Sequence, residues 1–140
     1  MAIAKQAFYE GAALYLIARS GDLRSIGYEA PFFVLNRRLS VLLKYSTQKR
    51  SPWGFTLSTD EQALLSAERA HRKLAVGLIC GADGVAAVPY DALLTIASPK
   101  SSALRISCYR RHREQYEIKG PDGVLDRKVP PSAWPTILRP

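Results

Sequence analysis

The sequence predicts one α/β (α+β) domain, with a central mixed β-sheet flanked by helices. Three observations predict it. A helical apolar pattern opens the chain, alternating or continuous apolar runs follow at 32–45 and 74–90, and a helix-start signal falls between them. At 140 residues, with 47% hydrophobic and 23% charged side chains, the chain can bury a core without disulfides or metal.

Residues 4–19 read as the first helix. Phe8, Ala12, Tyr15 and Leu16 follow i, i+4, i+7, i+8, and Ala13, Leu14 and Ile17 make other sides apolar, so cover on more than one side is expected. Glu10 lies on the side of Ala13, Leu14 and Ile17, where its carboxylate calls for a cationic partner. Ser20-Gly21-Asp22 stops the helix. Residues 25–30 open a strand, with Pro31 at its bend or edge.

Residues 32–36 and 39–45 form an antiparallel pair turned at Asn36-Arg37-Arg38. Alternation puts Val41, Leu43 and Tyr45 on one face of the second strand and Ser40, Leu42 and Lys44 on the other. Both faces are largely apolar, the mark of a central strand covered on both sides. Lys44 is the exception. An unpaired buried ammonium is costly, so it must reach water, an acid partner or an anion.

Residues 46–52 form a basic, polar loop, from which Trp53 and Phe55 return the chain to the core or present aromatic surface. Ser58-Thr59-Asp60-Glu61 is a capping box for a helix expected to run to Lys73, its stripe of Ala63, Leu64, Ala67, Ala70 and Leu74 facing a sheet. A buried strand at 74–80 turns at Gly81-Ala82-Asp83-Gly84 into its hairpin partner at 85–90. Asp91 caps a short helix, 92–97. Strands follow at 104–111 and 116–119, and Gly120-Pro121-Asp122-Gly123 turns into another at 124–129. Pro130-Pro131-Ser132 leads into a last turn, 133–138, where Trp134 anchors the tail. There is no internal repeat and no domain boundary: one domain over 1–140, with a core at 4–97 and additional strands over 104–138.

Composition narrows the function. Cys80 and Cys108 lie in expected strands and, with only two distant histidines, do not make a zinc site; they read as buried thiols of a cytoplasmic protein. No run is long enough to span a bilayer, and no membrane partner is expected. Twenty Lys and Arg against twelve Asp and Glu give a net charge of +8, which favours a polyanionic partner, nucleic acid (DNA favoured) ahead of an anionic membrane surface. Charge kept for solubility is the plainer alternative.

The basic residues cluster in sequence. Arg37, Arg38, Lys49 and Arg50 flank the hairpin and its loop, and Arg105, Arg110, Arg111 and Arg113 punctuate the later strand. Interleaved with Tyr45, Trp53 and Tyr109, they match a surface that tracks phosphates and stacks bases. A charged edge strand guarded against pairing is the other reading. A basic surface also suits an acidic protein partner, and a second copy of the chain is a further candidate partner. Enzyme signatures are missing: there is no phosphate-binding glycine loop, Gly-x-Ser-x-Gly elbow or His-x-x-x-His pair, and His71 and His112 read as surface residues.

Four stretches carry a resemblance: Glu10 in the first helix, FFVLN at 32–36, LSVLLKYS at 39–46 and GFTLSTDEQALL at 54–65. Helix with a Glu, hairpin, strand ending in Lys, polar loop, capped helix and strand pair together resemble the restriction-endonuclease-like fold. The similarity is to the compact Holliday-junction resolvases and related PD-(D/E)XK nucleases, and it covers residues 4–97. It implies a Mg²⁺ site made by an Asp on the first hairpin strand and an acid two residues before the Lys, with the Lys orienting the attacking water. Lys44 matches that Lys and Glu10 the acid of the first helix. Leu42 stands where the second acid belongs, and the Asp region reads Phe32-Phe33-Val34-Leu35. The resemblance therefore implies a nuclease fold without its standard acids. Glu10 and Lys44 would remain as an ion pair, and the function would be non-catalytic nucleic-acid binding or DNA processing without cofactor. A protein-interaction module with a basic surface is the alternative. A divergent nuclease would need Mg²⁺ and a displaced acid such as Glu29 or Asp60.

Overall fold

The hairpin read from the sequence supplies two strands of a five-stranded mixed sheet. The computed structural model describes residues 2–140. It runs α1 (Lys5–Arg19), β1 (Ile26–Glu29), β2 (Phe32–Leu35), β3 (Leu39–Ser46), β4 (Trp53–Leu57), α2 (Thr59–Glu68), β5 (Lys73–Cys80) and β6 (Gly84–Pro89). After these come α3 (Tyr90–Leu94), β7 (Leu104–Tyr109), β8 (Glu117–Gly120), β9 (Gly123–Val124) and a short 3-10 turn, Pro131–Ala133.

The mixed sheet has the order β1-β2-β3-β5-β6. Its first three strands form an antiparallel meander, β3 runs parallel to β5 from Leu39↔Lys73 to Ser46↔Cys80, and β6 returns antiparallel. The parallel pair requires a crossover, which β4 and α2 provide. Asn36 and Arg37 adopt left-handed backbone to reverse the chain between β2 and β3. The Asn36 side chain then accepts the N–H groups of Arg24 and Ser25 at 2.6 and 3.1 Å, and donates to the Asp22 carbonyl at 2.9 Å. One Asn thus ties the entry to β1 onto the hairpin.

Each sheet face has its own core. Leu35, Val41, Leu43, Ala75 and Ile79 pack with Ala13 and Ile17 of α1 and with Trp134 and Leu138 of the tail. Cover on more than one side of α1 does not form: Ala13 and Ile17 are buried, but Phe8 and Tyr15 stand in water. Trp134 is fully buried and donates its indole N–H to the Ala13 carbonyl at 2.9 Å. Gly77 of β5 makes room for it: a Cβ there would lie 2.9 Å from the indole and 2.8 Å from Leu43. On the opposite face, Phe32, Leu42, Val76, Leu78 and Val88 pack with α2, α3 and a second sheet.

That second sheet differs from the single central sheet expected. Residues 53–57 are a strand, pairing antiparallel with β7 from Trp53↔Cys108 to Leu57↔Leu104, and β8 and β9 complete the order β4-β7-β8-β9. The alternation was present: Trp53, Phe55 and Leu57 are buried while Thr56 is exposed. The chain is a single α+β domain of two sheets, one mixed and one antiparallel.

Smaller boundaries also shift. α2 stops at Glu68, and Lys73 opens β5 instead of closing the helix. Its Ala63, Leu64, Ala67 and Ala70 stripe faces solvent, while Gln62 and Leu65 are buried. Gln62 decides the rotation: its amide donates to the carbonyls of Leu57 and Ser102 at 3.2 and 3.1 Å and accepts the Lys100 N–H at 2.8 Å. A buried amide satisfied on both sides fixes that face inward more strongly than alanines could. Of the expected 124–129 strand only Val124, together with Gly123 before it, pairs with β8, and Val129 makes a further bridge to Tyr116. Asp91 lies inside the first turn of α3, whose cap position is Pro89. Among the described residues, no helix is long and apolar enough to cross a membrane.

Candidate nucleic-acid interface

Lys44 has a partner, and it is not Glu10. Its Nζ lies 2.7 and 3.0 Å from the two carboxylate oxygens of Glu61. α1 packs on the sheet face that holds Val41 and Leu43, and Tyr9 of α1 stacks on Tyr45 with ring centroids 4.8 Å apart. Alternation sends Lys44 to the opposite face. Glu10 is therefore across the sheet and accepts a hydrogen bond from Gln6 at 2.9 Å. The Glu10–Lys44 ion pair expected from the sequence does not form.

Glu61 does two things at once. As third residue of α2 it accepts the Ser58 N–H at 3.0 Å while Ser58 Oγ accepts the Glu61 N–H at 3.1 Å, completing the capping box. One of its oxygens serves both Ser58 and Lys44. Burial works to raise its pKa, but the Lys44 and Ser58 hydrogen bonds and the Lys44 charge outweigh it and hold the carboxyl below its ordinary value. Earlier on β3, Ser40 Oγ donates to Glu68 on the same side of α2, and Arg72 donates to the same Glu68 oxygen at 3.1 Å. Ser40 and Lys44 are four residues apart on β3, about 13 Å at ~3.3 Å per residue. Glu68 and Glu61 are seven apart on α2, about 10.5 Å at ~1.5 Å per residue. The side chains span the small difference, and two polar clamps hold α2 on β3, with Leu42 and Leu65 in the core between them. Leu42, the position of the expected acid, is 3% exposed.

The basic residues divide into two sets. Ser51 Oγ donates to the Arg110 carbonyl at 3.0 Å, because β4 and β7 pair Trp53 with Cys108 and so bring the loop before one strand beside the loop after the other. Lys49, Arg50, Arg111 and Arg113 are thereby gathered at one end of the molecule, all exposed, with Tyr109 exposed beside them. Arg113 adopts left-handed backbone, at a φ of 64°. Arg37 and Arg38 sit at the start of β3, and the 47–52 loop follows its end. Eight residues of strand separate them, about 26 Å at ~3.3 Å per residue. A continuous surface running from Arg37 through Arg50 is therefore not what the fold builds.

Two further assignments change. Trp53 is 2% exposed; its indole donates to the Gln48 carbonyl at 3.0 Å and its ring meets Tyr116 edge-on, so it is a core residue and not a base-stacking platform. Arg110 is engaged within the fold: it donates to Asp83 at 2.9 Å and to the Glu114 carbonyl at 2.6 Å, with its guanidinium over the Tyr116 ring. It positions the loop that carries Arg111 and Arg113.

Asp83 is the residue that sequence reasoning missed. It accepts from Arg110 and, at 2.6 Å, from the Tyr116 hydroxyl, tying the β5–β6 turn to the second sheet. Burial first, and then the Asp83 carboxylate, push the Tyr116 phenol well above its ordinary range. Gly84 is needed beside it, since a Cβ there would lie 2.6 Å from the Tyr116 oxygen. The Gly81-Ala82-Asp83-Gly84 signal marked the turn, but nothing local marked its partner 33 residues away. Among the described residues, no three His, Cys, Asp or Glu side chains are grouped to hold a metal ion. No protein family, curated protein or solved structure matches this chain.

Proposed function

We propose that this chain is a non-catalytic nucleic-acid-binding domain whose contact surface is formed by the 47–52 and 110–113 loops. The observation that carries the proposal is the Ser51–Arg110 junction, which brings four exposed cations and the exposed Tyr109 from two distant segments to one place. Cations on paired loops track phosphates, and an exposed aromatic beside them offers a face for a base. The succession of α1, the β1–β3 meander, α2 and β5 supports reading the fold as restriction-endonuclease-like, with β4 as an addition between β3 and α2. Lys44 in this reading is a structural clamp, its ammonium neutralised by Glu61.

The test is retention of labelled single- and double-stranded DNA across a salt series. Affinity is expected to fall log-linearly, with a slope reduced by about two in a K49A/R50A variant, each phosphate neutralised contributing ~0.9. No retention at low salt, or a slope indifferent to those residues, would overturn the assignment. Incubation with plasmid and branched DNA plus Mg²⁺ or Mn²⁺ checks the divergent-nuclease alternative, for which cleavage sensitive to Lys44→Ala is the required result.

A protein-interaction role draws on a different observation. Phe8 and Tyr15 of α1 are 64% and 60% exposed, and Tyr28 of edge strand β1 is 60% exposed. Phe8 and Tyr15 lie seven residues apart on one side of α1, and large apolar side chains left in water on a helix face are how a partner site looks in the free protein. A stoichiometric partner, or a second copy, retained after nuclease treatment would favour this reading.

A further inference from the structure

We propose that the groove at the opposite end of the mixed sheet from the 47–52 and 110–113 loops binds a small phosphate-bearing ligand of nucleotide size. The groove forms where β3 and β5 begin, β6 hands over to α3, and residues 137–140 close the side. Its volume is about 800 Å³, within the roughly 300–1,000 Å³ of small-molecule sites.

Its walls have two characters. Five cationic side chains line it, Arg38, Arg69, Arg72, Lys73 and Arg139, against one side-chain carboxylate, Asp91. Its remaining lining includes the half-buried Leu39 and Ile137 and the edges of the buried Leu74 and Tyr90. A bare anion would leave that apolar surface unused, and an apolar compound would leave the charges desolvated. A ligand with a phosphate at one end and a flat or apolar body at the other satisfies both.

Several of the cations are held in place. Arg72 reaches Glu68 and Glu29 at 3.1 and 3.2 Å, Arg69 reaches Asp91 at 2.7 Å, and Arg139 reaches Asp22 at 3.0 Å. Glu68, Glu29 and Asp22 act from outside the lining, so those guanidinium forks are oriented before any ligand arrives. Arg38 makes one hydrogen bond, to the Leu138 carbonyl at 3.3 Å, and Lys73 has no ion-pair partner among the described residues. These two are the charges left for recognition. The negative end of α2 would account for cations such as Arg69 and Arg72 near its terminus. It does not account for Arg38 from the hairpin or Arg139 from the tail.

The test is calorimetric titration of the full chain with ADP, and separately with adenosine and with pyrophosphate. Saturable ADP binding is expected, weaker for either half alone, and lowered at least roughly tenfold, ~1.4 kcal/mol, by R38A/K73A. The K49A/R50A variant should leave it unchanged, which separates this site from the loop surface. Absence of saturable ADP binding at millimolar concentration overturns the proposal. So does pyrophosphate binding as tightly as ADP, adenosine doing the same, or binding that depends on Lys49 and Arg50 instead of Arg38 and Lys73.

Discussion

Lys44 of β3 and Glu61 of α2 meet at 2.7 Å, and the same carboxylate completes the helix N-cap. The helix cap and the docking of the helix on the sheet therefore share one carboxylate. Ser58 and Glu61 start the helix, and Lys44 fixes where its first turn lies on the sheet. The clamp is only partly solvated, with 23% and 24% of the two side chains exposed, so each partner needs the other. Lys44→Met is expected to lower unfolding stability by about 2 kcal/mol, as is usual when a charged hydrogen bond is removed from a half-buried site. Glu61→Gln, which can still cap Ser58, should cost less. The double variant should cost less than the sum, and denaturant unfolding of the four proteins measures that coupling.

Acid should weaken the same clamp. Glu61 sits below its ordinary value, and Asp122 is lowered to about 2, first by the Lys100 ammonium and then by the Ser98 backbone and hydroxyl. A carboxyl depressed in the folded state adds stability above its unfolded value, and that stability is lost as pH falls through the folded one. For Asp122 the window lies between about pH 4 and about pH 2. Denaturation midpoints measured down this range should decline, and less steeply in an E61Q/D122N variant.

Gly77 tests the packing of the tail. Adding a methyl would drive it into Leu43 and the Trp134 ring, both held in the core. Gly77→Ala is expected to cost about 2 kcal/mol, within the range for overpacking. Thermal unfolding gives the answer, and Trp134 emission reports whether the indole has moved.

Cys80 and Cys108 are fully buried, one in each sheet, with sulfurs 3.6 Å apart. Hydrogen bonding to Cys108, burial and the neighbouring thiol's charge raise the Cys80 pKa far beyond the ordinary thiol range. Neither thiol should react with iodoacetamide in the native protein at pH 8, and both should react in denaturant. Mass spectrometry of labelled protein distinguishes the two states.

The two basic regions predict different losses. Arg111→Ala and Arg113→Ala should each reduce the salt dependence of DNA retention, by about 0.9 in slope for every phosphate no longer neutralised. Arg37→Ala, at the other end of β3, should leave it unchanged. Parallel salt titrations compare them directly.

Local order in this protein is written in its residues. The period-two alternation of β3, the Ser58–Glu61 box and the Gly-rich hairpin turn depend on neighbours a few residues apart, and each is present in the fold; α1 forms as a helix, but its buried face is Ala13 and Ile17 and not the Phe8, Ala12, Tyr15 stripe. Lys44 was legible as a charge that needed an answer. Its partner came from tertiary packing, because strand alternation sends Lys44 away from α1 and the crossover lays α2 on its face. The same holds for the basic residues. Their clustering along the chain is visible in the sequence, but β4–β7 pairing joins Lys49 and Arg50 to Arg111 and Arg113 and leaves Arg37 and Arg38 about 26 Å away, at ~3.3 Å per strand residue. Contacts across 59 residues, such as Ser51 to Arg110, leave no periodic trace in the segments that make them. Helices, strands and turns follow from local spacing, whereas the placement of charge follows from which strands pair.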